Sequence, residues 1–91
     1  MRDVISYIVY EIVAGRFIFR GWSVLNTHMP EETPQGIIFG KTGILLHLVD
    51  GEPKLNVPKG QDAELLKFDH ATIGDGKRVD GSFVRVQIYE S

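Results

Sequence analysis

The chain contains no cysteine among its 91 residues, which excludes a disulfide framework, a zinc ribbon and a cysteine nucleophile. It also lacks a long uncharged apolar run. Its most apolar stretch, from Val4 onward, is interrupted by Glu11, Arg16 and Arg20, so it reads neither as a signal segment nor as a membrane span. No tract of single-signed charge is present. The net charge is −2, with three arginines against two acids in residues 1–28 and four lysines against seven acids in residues 29–70. That balance provides no electrostatic footprint for nucleic acid or an anionic membrane. Internal repeats and low-complexity segments are absent too. The expectation is a cytoplasmic protein with no membrane partner, no cofactor and no metal.

The composition that remains is ordinary for a globular protein, 43% hydrophobic and 24% charged. Such a length suits one domain over residues 1–91, burying roughly 60–65% of the unfolded surface. Ten glycines and four prolines are scattered along it, a pattern of short elements joined by tight turns.

The clearest element is a hairpin turning at Asp50-Gly51, a pair suited to the two positive φ angles of a type I′ turn. That turn sets Leu48 opposite Pro53, Leu46 opposite Leu55 and Ile44 opposite Val57 on a wholly apolar face. His47 opposite Lys54 and Leu45 opposite Asn56 occupy the other face. Pro53 cannot donate to a ladder, which places its strand at a sheet edge. The alternation in Ser82–Glu90 marks another strand. It is joined to Ala71–Ile73 through two Asp-Gly pairs by a polar loop, or by a turn plus a bulge. Asp62–Phe68 reads as a short helical turn capped by Asp62. His28–Gln35 reads as a proline-bounded acidic loop.

The block from Val4 to Leu25 holds five of the nine aromatics and admits two periods. As a helix over residues 3–14, Val4, Ile5, Ile8, Val9, Ile12 and Val13 form one stripe. As a hairpin turning at Ala14-Gly15, Ile12 pairs with Phe17, Tyr10 with Phe19 and Ile8 with Gly21. Its β-branched and aromatic content favours the hairpin. The expected fold is therefore mainly β: a small antiparallel sheet, barrel- or sandwich-like, with at most one or two short helices. The alternative is α+β, with the N-terminal helix packed on an antiparallel sheet.

Motifs that carry chemistry are few. Gly36-Ile-Ile-Phe-Gly-Lys-Thr42 ends like a P-loop, but Gln35 stands where the pattern needs glycine, and a strand rather than a helix follows. It reads as a buried strand and a turn. No two of His28, His47 and His70 have ligand spacing, so each reads as a surface or turn residue. No serine sits in a nucleophile elbow. Arg16–Arg20 and Phe83–Arg85 place aromatics beside arginines, as stacking platforms do. Gly81–Val86 lacks the basic-Gly pair and further aromatics of an RNA-binding strand, so nucleic acid is not the expected partner.

No catalytic residue is assigned. The hairpin reading leaves a mixed face of Tyr7, Val9, Ile18 and Trp22 that needs cover, and these are interface residue types. The expected function is a non-enzymatic interaction module that self-associates through this face as a homo-oligomer and binds a protein or small-molecule ligand. The alternative is a small enzyme with an acid/base site at a subunit interface, drawing on His28, Glu31, Glu32, Asp69 and His70.

Overall fold

The computed structural model describes residues 2–90. Eight strands form two antiparallel sheets. They are β1 (Val4–Val13), β2 (Arg16–Ser23), β3 (Pro30–Thr33), β4 (Gly36–Phe39), β5 (Leu45–Val49), β6 (Glu52–Asn56), β7 (Ala63–Ile73) and β8 (Lys77–Tyr89). The first sheet has the order β2-β1-β8-β7 and the second β3-β4-β5-β6. Single 3-10 turns at Asn26–His28 and Gly40–Thr42 are the helical elements among the described residues.

The sheets share one core. Ile8, Tyr10, Val84, Val86 and Ile88 come from β1 and β8. They meet Ile37, Phe39 and Leu46 from β4 and β5, with Ile44 just before β5. Ile8, Phe39, Ile44 and Leu46 are completely buried, each contributing roughly 1.5–3 kcal/mol over exposure. On one side, β6 and β7 flank each other and Lys67 Nζ reaches Glu52 Oε2 at 3.0 Å. On the opposite side, no ion pair among the described residues bridges β2 and β3.

Residues 4–13 are strand, not helix, so the helical alternative is overturned: β1 is held between β2 and β8 along most of its length. Ala14 (φ 53°) and Gly15 (φ 73°) both occupy the left-handed region, which makes the turn type I′ despite its weak sequence signal. Ile12 pairs with Phe17 and Tyr10 with Phe19, as the pattern implies. Beyond them the register shifts. Gly21 pairs with Val9 and Trp22 with Ile8, which leaves Arg20 as the extra residue of a bulge. Ile8 therefore does not face Gly21. The bulge sets Trp22 opposite Ile8 and beside the Phe19 ring, while Trp22 also borders the groove that holds Tyr7 and Val9.

The Asp50-Gly51 hairpin has the expected register, from Leu45 opposite Asn56 to Leu48 opposite Pro53, and β6 lies at the sheet edge. Three other segments differ from expectation. Residues 63–68 are the start of β7, not a helical turn. Pairing of Ala63 with Ile88 and Leu65 with Val86 overrides the helix-forming Leu-Leu-Lys run. Within the expected acidic loop, Pro30–Thr33 forms a short edge strand, which spares Pro30 a ladder donor. The last strand begins earlier, at Lys77, and the Phe68/His70 register shift supplies the bulge.

The P-loop-like string has a packing explanation. Gly40 has φ 59°, and a Cβ there would lie 1.8 Å from the Thr27 carbonyl oxygen. The Thr42 hydroxyl donates to the Phe39 carbonyl at 2.6 Å and accepts from Ile44 N–H at 3.0 Å. The glycine thus lets the two 3-10 turns touch.

Two substitutions test these backbone positions. Ala14→Asn should raise the unfolding free energy by about 1 kcal/mol, because Asn tolerates the left-handed conformation that strains alanine. Gly40→Ala should lower it by roughly 2–4 kcal/mol, since backbone must move. Urea denaturation of both variants measures the two signs.

Candidate functional site

Edge strand β2 carries Phe17, Phe19 and, because of the bulge, Trp22 towards the side where Tyr10 and Ile8 enter the core. Phe19 and Trp22 rings lie 4.6 Å apart at 42°, while Tyr10 meets Phe19 edge-on at 5.5 Å and Phe17 at 5.9 Å. Across the open side stand Met29, Pro30, Glu31 and Glu32. Together with Tyr10, Phe19 and Trp22 they enclose a cavity of about 290 Å³. Trp22 is 57% exposed, Met29 46% and Phe19 40%, so this mouth is one apolar part of the surface that the sandwich leaves uncovered.

Glu32 pairs with Ile37, a core residue, which puts its carboxylate on the inward side of β3. Its charge acts on Tyr10. Burial, and then the negative charge of Glu32, hold the Tyr10 phenol well above its ordinary pKa. Among the described residues, neither Glu31 nor Glu32 takes part in an ion pair. Glu32 also borders a neighbouring cavity that holds Arg16 and Phe17.

A second groove, of about 450 Å³, runs over the outer face of the first sheet. Tyr7, Val9, Gly21 and Trp22 line it on one side, and His70–Ile73 on the other. The β7–β8 arm beyond the bulge supplies that second wall. Arg85 lies within it, its guanidinium 5.6 Å from the Tyr7 ring and 5.2 Å from the Phe68 ring. Its buried Nε has no hydrogen-bond partner among the described residues. Arg20, at the rim, is held by Glu11 at 2.7 Å.

Of the proposed interface residues, Tyr7, Val9 and Trp22 line this outer groove, and Ile18 lies opposite Glu11. The polar candidates are dispersed. Glu31 and Glu32 border the β2–β3 mouth. Asp69 and His70 bond each other at 2.8 Å on the exposed arm. His47 faces Lys54 on β5. The described residues contain no group of three His, Asp or Glu able to hold a metal ion. The aromatics of the arginine-flanked segments are divided as well, since Phe83 is buried while Phe17 and Phe19 line the cavities on the open side.

His28 is a correction: it is buried, not a surface residue. Leu25 N–H donates to Ser6 Oγ at 3.0 Å, and Ser6 Oγ lies 2.8 Å from His28 Nδ1. With one lone pair taken by Leu25 N–H, the hydroxyl keeps its proton and a second lone pair for Nδ1. This pair pins the connection between the sheets to β1. Sequence reasoning missed Ser6, Tyr10, Phe19 and Met29. Arg20-Gly21, a bulge-compatible pair in the middle of a strand, is the signal that points to the turned Trp22.

Comparison with known proteins finds no matching family, no matching curated protein and no matching solved structure.

Burial lowers the His28 pKa from its ordinary 6.5. Between the unfolded and folded values the unfolded chain binds more protons, so His28 makes stability fall as pH drops through that window. The contribution is fully present above it. Urea midpoints measured from pH 7.5 to pH 5 should decline, and His28→Gln should flatten that part of the profile.

Proposed function

We propose that the protein is a non-enzymatic interaction module that holds an extended segment of a partner protein along its open side, between β2 and β3. The observation that carries this reading is the exposure of Phe19, Trp22 and Met29 together around one cavity. They stand beside β2, whose outer edge has no hydrogen-bonded strand neighbour among the described residues. Exposed apolar surface at that position has two uses for a partner strand: main-chain pairing with β2 and burial of alternate side chains against the aromatics.

The edges of the second sheet are less receptive. β3 is four residues long, starts with proline and turns Glu32 inward. β6 carries Pro53. Short length, proline and inward charge are the usual guards of a sheet edge.

A random-peptide library selected on the protein tests the reading. Binders should protect the amides of β2 from hydrogen exchange and lose affinity with Trp22→Ser. Binders that leave β2 unprotected would refute it.

Self-association through Tyr7, Val9, Ile18 and Trp22 is a second reading. It is favoured by Tyr7, 42% exposed, at the outer groove with Trp22. Sedimentation equilibrium at high micromolar concentration should then show a dimer or larger species that Tyr7→Ser weakens; a strict monomer removes this reading.

A further inference from the structure

We infer that the segment held between β2 and β3 presents an arginine side chain, received by Trp22, Phe19 and Glu32. This rests on the docking reading above and adds the chemistry of the occupant. Phe19, Trp22 and Tyr10 bring three π systems to one cavity, and Glu32 brings a carboxylate to the facing rim, with Glu31 next to it in β3. No lysine or arginine lines it.

The signs decide between occupants. An anion is repelled by both carboxylates and by the negative ring faces. A neutral apolar chain covers the rings but buries the Glu32 charge without a partner, which is costly. A cation gains from the rings and the carboxylates at once.

Between the two common cationic side chains, guanidinium suits this cavity better than ammonium. It is flat, weakly hydrated and permanently charged, so it stacks on an aromatic face while its N–H fork grips a carboxylate. The cavity, at about 290 Å³, lies just below the roughly 300–1,000 Å³ found for ligand pockets. That is room for a side chain rather than for a large cofactor. The free β2 edge supplies the pairing that an extended segment needs to deliver the side chain there. Arg16, the chain's own arginine near Glu32, borders the adjoining cavity and is not bonded to that carboxylate.

Trp22 is the single tryptophan of the chain, so its emission reports occupancy directly. The probe is a capped peptide alternating valine and threonine with one central arginine, compared with the same peptide carrying citrulline, which keeps the shape and loses the charge. The arginine peptide should shift Trp22 emission saturably, and citrulline should weaken binding by about tenfold or more. Glu32→Gln should weaken the arginine peptide by a similar factor and leave the citrulline peptide unchanged. Glu32 is exposed, and an unaltered urea midpoint verifies that the variant is folded. Equal binding of the two peptides to the wild type overturns the arginine inference and leaves the docking reading standing. No saturable response to either peptide also overturns it, and the amide protection of library-selected binders then judges the docking reading separately.

Discussion

Burial of the β1–β8 inner face against β4 and β5 is the contact on which the other features depend. Ile8, Val84, Val86 and Ile88 on one sheet and Phe39, Ile44 and Leu46 on the other are removed from water almost completely. A chain of this length has few other sources of stability, having no cysteine to crosslink it. The central strands of each sheet consume the most apolar residues. The outer strands are left to manage their edges with whatever the local sequence provides.

How much of this the sequence discloses depends on whether a feature is local. The Asp50-Gly51 hairpin is legible because its turn pair and its alternation agree on one register. The opening hairpin is legible only from composition, since Ala14 gives no turn signal and is carried into the left-handed region by the strands on either side. Residues 63–68 mislead because their helix-forming side chains say nothing of the pairing with β8 that decides their conformation. Pro30–Thr33 misleads in the same way: an edge strand needs only one neighbour, and that neighbour, β4, is the stronger strand former.

The candidate site is legible in its parts but not in its assembly. Glu31, Glu32 and Trp22 stand out in the sequence, yet on separate segments and for separate reasons. One residue accounts for the difference. With Arg20 bulged out, Trp22 shares a side with Ile8, and the aromatics of β2 are gathered at the cavities on the open side. Without the bulge, strict alternation would divide Trp22 from Phe17 and Phe19. His28 eludes sequence reading for a similar reason, because its partner Ser6 lies on the core face of β1, and only the crossover between the sheets brings them together.

The unequal guarding of the strand edges has a consequence for assembly. A module with two receptive edges can take a strand on each and propagate, copy after copy, into a fibre. Here β3 begins with proline, β6 carries Pro53, and β7 meets β6 at Lys67 and Glu52 and has a register shift between Phe68 and His70. The first sheet is left with β2 and the arm of β7 beyond its bulge as unguarded edges, at opposite ends of the same sheet. Proline at both edges of the second sheet disfavours its growth, so any strand addition is confined to the first.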